Sequence, residues 1–237
     1  TSDTRNQDYM LYVQLPTGYE DPGNRHKHYP VIYLLDPYWD FPVVAGARSG
    51  LVFDGIVPEY IVVGIGYSTQ GQVEEGDVVN ILRKIDYTPV RDASEPNTGD
   101  AAAFMSFIKS SVIPFVEDSY RIADYRVFAG TSSGGLFSLY LMFENPGLFQ
   151  GHIAIAPAVG YFHRWAFVKE SLFYSADPVN GIDPSGRTLP TRLYMSVGSN
   201  DQLDNFTRES IAFGELLKGR EYEGLNFKFE VKQNEHH

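Results

Sequence analysis

The segment from Gly130 to Gly134 reads Gly-Thr-Ser-Ser-Gly and separates an apolar run at 126–129 from a helical apolar pattern at 136–141. A strand, a sharp turn and a helix in that order form a nucleophile elbow, which carries a reactive serine at its tip. Small residues are needed on both sides of the serine because the backbone approaches too closely there for a Cβ. Five letters alone would also fit a turn that only opens a helix, but the flanking patterns predict that Ser132 is a nucleophile.

Strand patterns recur along the rest of the chain. Short apolar or alternating runs lie at 9–14, 30–35, 60–65, 126–129, 152–156, 193–197 and 227–231, and a helical pattern follows Asp100. This alternation is what a parallel sheet with crossover helices requires. The polar stretch 68–99 is too long for a plain connector, and we expect it to form a wall of the site. With no linker or repeat in evidence, we predict an α/β fold in one domain spanning 1–237.

Composition excludes several classes of partner. The formal net charge is −11 and no basic cluster occurs, so we expect no nucleic acid and no anionic membrane as partner. The chain has no cysteine, which excludes disulfides and a thiol nucleophile. It opens abruptly at Thr1 and shows no leader, although one could have been removed, so both a cytoplasmic and an exported location stay open. The oligomeric state is left open as well.

A serine nucleophile needs a histidine base, and the order of the chain leaves few candidates. The hydroxyl passes its proton to an imidazole that a carboxylate orients, and after an elbow the acid precedes the histidine. Only His152, His163, His236 and His237 follow Ser132. The first two precede any suitable acid, so we expect them to be structural or to line a pocket. The base is therefore His236 or His237, directly after the last predicted strand.

The acid is expected in the turn that follows the predicted strand at 193–197. Asp201 ends that turn, at the position that this arrangement reserves for the carboxylate. We predict that Asp201 is the acid and keep Asp204 as the alternative. Asp204 better fits the role of capping the helix that starts near Phe206.

The oxyanion hole should combine two backbone N–H groups. One is that of Ser133, directly after the nucleophile, and the other comes from the loop after the strand at 30–35. Pro37 in that loop has no N–H, so Tyr38 is the first residue after Asp36 that can donate. Trp39 is the alternative if the turn is longer.

No cofactor or metal is expected from the sequence. Gly64 and Gly66 only loosely suggest a dinucleotide loop, because no third glycine has the right spacing and no helical pattern follows directly. His26 and His28 lie in a polar turn without a third ligand. We therefore assign neither a cofactor nor a metal ion.

Taken together, several segments resemble the putative esterase family of α/β-hydrolases, which includes esterase D, feruloyl esterases and enterobactin esterases. The resemblance covers almost the whole chain. It rests on the segments at 29–36, 83–89, 104–114, 120–121, 130–137, 146–149 and 154–157. It implies a three-layer α/β/α sandwich and hydrolysis of small-molecule carboxylic esters by Ser132, Asp201 and a C-terminal histidine. An acyltransferase with the same triad and an alcohol or sugar acceptor is the alternative.

The resemblance also bears on individual residues. Relatives place the base in an Asn-Glu-x-His run, which matches 234–237 and favours His237 over His236. Where relatives carry Leu-Asp-Gly this chain has Pro37 as the third residue, and relatives continue into a closing helix beyond the last residue here. We expect Trp39, Arg83 and Tyr161 to contact the substrate, which is a feruloyl or acetyl carbohydrate ester or a siderophore-type ester.

Overall fold

A computed structural model of the protein describes residues 7–68, 75–175, 187–201 and 205–237. All seven predicted strands are present; four are one or two residues longer than their apolar runs, and β4 is six residues longer. They are β1 Tyr9–Gln14, β2 Tyr29–Leu35, β3 Ile61–Tyr67, β4 Ile122–Thr131, β5 Gly151–Ile155, β6 Arg192–Gly198 and β7 Asn226–Lys232.

The strands form one mixed sheet in the order β1-β3-β2-β4-β5-β6-β7. Only β1 runs antiparallel, pairing Tyr9 with Tyr67 at one end of β3 and Gln14 with Val62 at the other. Strands β2 to β7 are parallel to one another. The carboxyl ends of β2, β4, β6 and β7 therefore meet at one edge, where open α/β sheets bind their ligands.

Helices lie on both faces of the sheet. They are α1 Asp40–Phe53, α2 Glu75–Tyr87, α3 Ala101–Phe107, α4 Ile113–Ser119, α5 Ser133–Glu144, α6 Tyr161–Ser175 and α7 Phe206–Arg220, with a π-turn at Ile108–Val112 joining α3 to α4. Helix α1 contacts β2 and β3, and α5 contacts β4 and β5. The predicted α/β-hydrolase sandwich with a mostly parallel sheet is confirmed.

Two apolar clusters fill the space between the sheet and its helices. One is built around aromatic residues such as Phe104, Phe128 and Phe137, all fully buried. The other joins the inward side of β6, with Met195, to α7, with Phe213. Burying side chains of this size supplies most of the favourable free energy of folding. The core thus fixes the strand ends that carry the site.

Helices α1, α2 and α6 were not predicted from the sequence. Helix α2 lies inside the stretch 68–99, which its composition predicted to be a polar wall, although apolar residues such as Val79 and Leu82 recur there at helical spacing. Helix α1 starts at Asp40, directly after the predicted oxyanion loop, and contains Pro42 and two glycines that lower helix propensity. Helix α1 is stabilised by packing on β2 and β3, and α2 by packing on α3 and α5.

No helix in the described part of the chain is long and apolar enough to cross a membrane.

Candidate active site

Ser132 occupies the tip of a strained turn between β4 and α5. Its backbone is at φ 59° and ψ −120°, outside the ordinary helix and strand regions. A Cβ at Gly130 would collide with the carbonyl oxygen of Gly134, so only glycine fits there. The Ser132 N–H donates to the carbonyl of Ile155, and its hydroxyl does not cap α5. The hydroxyl is therefore not used by the fold at this turn.

Asp201 and His237 meet at the carboxyl ends of β6 and β7. The His237 Nδ1 lies 2.8 Å from the Asp201 Oδ2, and the Asp201 residue is only 6% exposed. A carboxylate accepts the Nδ1–H, which leaves Nε2 of the same ring as a proton acceptor. The ring of His237 also packs edge-on against Phe206, with centroids 4.6 Å apart. This geometry suits an oriented general base.

Backbone hydrogen bonds hold the two loops together. Ser199 donates to the carbonyl of Lys232 over 2.9 Å, and Asn200 donates to that of Glu235 over 2.9 Å. The chain passes so close to Gly198 that a Cβ there would collide with the Glu235 carbonyl oxygen. The segment that ends in His237 is therefore placed by the loop that carries Asp201, the predicted acid.

The other histidines have different surroundings. His236 is exposed, and His163 sits in a left-handed turn at the start of α6. His152 is buried beside the Ser138 hydroxyl, and burial lowers its pKa to about 3. Asp204, the alternative acid, lies outside the described residues. The choice of Ser132, Asp201 and His237 stays a prediction, and the contact of Asp201 with His237 supports it.

The predicted oxyanion loop bends sharply after β2. The Trp39 N–H donates to the carbonyl of Asp36 over 3.1 Å, so it is engaged within the turn. The side chain of Tyr38 is bound to β3: its hydroxyl donates to the Tyr67 carbonyl over 2.6 Å and accepts from the Tyr67 N–H. Ser133 is the first residue of α5, where backbone N–H groups have no intrahelical acceptor. Tyr38 and Ser133 remain the predicted donors.

Arg83 forms a paired contact with Asp36. Its Nε and Nη2 donate to the two carboxylate oxygens of Asp36 over 2.6 and 2.7 Å. Its guanidinium lies 5.3 Å from the centre of the Trp39 ring and 5.6 Å from that of Tyr87. Arg83 is therefore not the free cation that a substrate-binding role would favour.

The two predicted aromatic contacts lie at the surface of the site. Trp39 is half exposed next to the oxyanion loop. Tyr161 opens α6 and packs on Phe206, with centroids 5.7 Å apart, and Phe206 in turn packs on His237. Tyr161 is thus connected to His237, the predicted base, through one aromatic ring. Substrate contact by either residue stays a prediction.

Sequence reasoning missed two supports of the site. The Thr131 hydroxyl, just before the nucleophile, donates to Asp40 over 3.0 Å, and burial raises the pKa of that carboxyl. Gly64 and Gly66 leave room for Pro37, because a Cβ on either would lie within 2.8 Å of its ring. The two glycines were the only signal in the sequence, and they resembled a nucleotide loop.

Within the described ranges, no group of three or more histidine and acidic residues is arranged to hold a metal ion.

Comparison with known proteins identifies the family. The model of the Putative esterase family matches residues 2–237. Ferri-bacillibactin esterase BesA of Bacillus subtilis is 30% identical over 219 residues, which are 85% of this chain and 69% of that protein. The siderophore triacetylfusarinine C esterase of Aspergillus fumigatus is 28% identical over 163 residues, 65% of this chain but only 53% of that protein.

Solved structures agree with the fold. The BES protein from Bacillus cereus has a TM-score of 0.79 at 24% identity and is matched over 100% of this chain and 86% of its own. The siderophore hydrolase EstB from Aspergillus nidulans has a TM-score of 0.79 at 23% identity, over 99% of this chain and 86% of its own. By fold and by family, this chain belongs to the Putative esterase family and is a carboxylic ester hydrolase of the α/β-hydrolase class.

Proposed function

We propose that this chain hydrolyses its ester in two acyl-transfer steps carried out by Ser132, Asp201 and His237. The observation that carries the proposal is the 2.8 Å contact of His237 Nδ1 with Asp201 at the carboxyl ends of β6 and β7, the same edge of the parallel sheet at which the strained serine turn follows β4. With Nδ1–H engaged, His237 Nε2 takes the proton of the Ser132 hydroxyl as its oxygen attacks the ester carbonyl. The same proton then goes to the leaving alcohol, and a water repeats the cycle to release the acid.

The developing oxyanion is held by the N–H groups of Ser133 and Tyr38 in this proposal. Each such donor contributes on the order of 3 kcal/mol to transition-state stabilisation in comparable enzymes. Tyr38 is taken as the second donor because it is the first residue after Asp36 that has an N–H, and the Trp39 N–H is engaged with the Asp36 carbonyl.

For the substrate we propose a small siderophore-type ester. Two relatives bear the names of esterases, one of ferri-bacillibactin and one of triacetylfusarinine C, and neither name describes an acyltransferase. Trp39 and Tyr161, both partly exposed beside the site, offer flat apolar surfaces to such an acyl group. A feruloyl ester would use the same two surfaces, and a substrate panel separates the two classes.

The test compares variants on an ester panel that runs from 4-nitrophenyl butyrate to methyl ferulate and a catecholate trilactone. Ser132→Ala should lose on the order of 10⁴-fold in kcat/KM on every ester that the wild-type protein cleaves. His237→Ala should lose nearly as much, because triad members act as a unit, whereas His236→Ala should lose less than about tenfold.

Circular dichroism and urea unfolding control for folding of each variant. More than a tenth of wild-type activity left in Ser132→Ala would contradict the serine mechanism. Reversed asymmetry between the two histidines would transfer the role of base to His236. Preference for ferulate over the trilactone would reassign the substrate class alone.

A further inference from the structure

Asp36, the residue that follows β2, is held in an unfavourable backbone conformation by its side chain. Its φ is 54°, in the left-handed region that non-glycine residues seldom adopt. The residue is only 3% exposed, and its carboxylate receives both donors of Arg83 and the hydroxyl of Tyr87, the last over 3.2 Å. Two planar groups joined by parallel hydrogen bonds have a fixed mutual orientation. Arg83 therefore fixes where the chain turns after β2.

Two further contacts fix the residues that come next. Pro37 lies over Gly64 and Gly66 of β3, at a distance that no Cβ on either glycine would allow. The Tyr38 side chain is tied to both backbone groups of Tyr67 at the end of β3. The backbone of Tyr38 is thus held from the sheet on one side and from the Asp36 turn on the other.

The same carboxylate also lies next to the nucleophile elbow. Asp36 Oδ2 is 3.4 Å from the position that a Cβ would occupy on Gly134, in the first turn of α5. The two predicted oxyanion donors, Ser133 and Tyr38, belong to the two segments that meet here. A shift of the Asp36 turn would change the distance between them.

We propose that Arg83 is a positioning residue, which orients the oxyanion loop through Asp36, and that it is not a cation that binds substrate. The inference rests on the function proposed above. The charge of Arg83 is balanced by the Asp36 carboxylate at hydrogen-bonding distance, and the Arg83 side chain is 18% exposed. An anionic substrate would have to compete with that carboxylate for the guanidinium.

The two roles differ in kinetic signature. Donors that bind the oxyanion act mainly in the transition state, so displacing them lowers kcat and leaves KM little changed. The loss is then equal for neutral and for anionic esters. Loss of a cation that binds substrate would instead raise KM, and for anionic esters only.

The experiment measures kcat and KM of Arg83→Met and Arg83→Lys on neutral 4-nitrophenyl butyrate and on anionic 4-nitrophenyl hydrogen glutarate. Removal of one oxyanion donor costs about 10²-fold to 10³-fold in kcat. Displacement of such a donor should cost less, and we expect Arg83→Met to lose about 10-fold to 100-fold in kcat on both esters, with KM within about threefold. Lysine keeps the charge but not the paired contact, so Arg83→Lys should fall between.

A boronic acid provides a second readout. It adds to Ser132 and places a tetrahedral oxygen in the oxyanion hole, so its affinity should fall in parallel with kcat in both Arg83 variants. The matched control is Arg220→Met, which removes an equally paired arginine between α6 and α7 and should leave kcat and boronate affinity unchanged.

Three results would overturn the inference: a loss confined to the anionic ester and to KM, an unchanged kcat in Arg83→Met, or an equal kcat loss in Arg220→Met. If Arg83→Met fails to fold, Arg83→Lys decides by the same criteria. Should Ser132→Ala abolish hydrolysis while Arg83→Met retains full kcat, only this inference fails. Wild-type hydrolysis that survives in Ser132→Ala would instead contradict the proposed function.

Discussion

Two buried clusters in this protein have the same composition, one carboxylate, one arginine and one tyrosine. In the loop cluster, Arg83 donates Nε and Nη2 to Asp36, and Tyr87 donates its hydroxyl. In the helix cluster, Arg220 donates Nε and Nη2 to Glu170 over 2.9 and 3.1 Å, and Tyr222 donates its hydroxyl over 2.7 Å. The bonds are alike, so any difference in function comes from where each carboxylate sits.

The two acidic residues, Asp36 and Glu170, differ in backbone conformation. Asp36 has a left-handed backbone at the end of β2, and the predicted oxyanion donor follows two residues later. Glu170 lies in α6, and Arg220 lies at the end of α7, so their pair only joins two helices. Breaking the helix cluster should lower stability, whereas breaking the loop cluster should also change the geometry of the reaction. The same chemical unit therefore supports catalysis in one place and stability in the other.

The largest effect is expected on the free energy of unfolding when the helix cluster is broken. Arg220→Met leaves the fully buried Glu170 carboxylate without its cation, and removing one partner of such a pair typically costs about 3–5 kcal/mol. Urea unfolding should show this loss, while kcat on 4-nitrophenyl butyrate at about 20 °C stays within about twofold for the folded fraction. A large fall in kcat at unchanged stability would remove the distinction between the two clusters.

The loop after β2 can also be displaced by adding an atom next to it, without removing any of its contacts. A Cβ at Gly64 would lie 2.7 Å from the Cβ of Pro37 and 3.0 Å from the Phe41 ring, and the pyrrolidine cannot rotate away. Gly64→Ala should therefore move the oxyanion loop and lower kcat about tenfold or more. Gly214→Ala in α7 is the control, because its Cβ would meet the Phe229 ring at 2.8 Å but far from the loop.

Relief of the collision sharpens this test. Pro37→Gly in the Gly64→Ala background removes the ring atoms that the new Cβ would meet. A double-mutant cycle should then give a coupling energy of about 1 kcal/mol or more in kcat, since the two residues share one contact. Additive effects would show that Gly64 does not act through Pro37.

The sequence predicted most of the strands but few of the contacts that hold the candidate site in place. Strands such as β2 and β6 are continuous apolar runs bounded by polar turns, and the elbow has a specific pattern of small residues, so local signals were sufficient. Helices α1, α2 and α6 were missed. Glycine and proline lower the helix propensity of α1, and α2 lies in a stretch whose polar composition outweighed its helical spacing; α2 is stabilised by packing on α3 and α5. Local propensity is a weak guide wherever tertiary contacts decide.

Within the site, the same division holds. Ser132 and Asp201 each lie shortly after a strand, so position alone was enough to predict a role for each, and these roles stay predictions. The pairing of Arg83 with Asp36 joins residues 47 positions apart, and no spacing rule connects them. The prediction that Arg83 contacts the substrate could not take Asp36 into account, because an isolated arginine in a polar stretch carries no sign of its partner.

The smallest effects are expected from the two tyrosines, and they compare the clusters most closely. Burial raises the pKa of both phenols, so each remains a protonated donor at all working pH values. Tyr87→Phe and Tyr222→Phe each remove one hydroxyl from a carboxylate that keeps both arginine contacts. A hydrogen bond of this kind contributes on the order of 1–2 kcal/mol. Because the Tyr222 contact is shorter, 2.7 against 3.2 Å, Tyr222→Phe should cost more stability.

Activity should show the opposite order. Tyr87→Phe loosens the Asp36 turn without removing its main support, so we expect kcat to fall about twofold to fivefold at constant KM. Tyr222→Phe should leave kcat unchanged, because the helix cluster touches no predicted catalytic residue. Steady-state kinetics and urea unfolding on the same two preparations give both numbers. If the variant with the larger stability loss also has the larger kcat loss, the clusters differ only in strength, and the positioning role of the loop cluster is wrong.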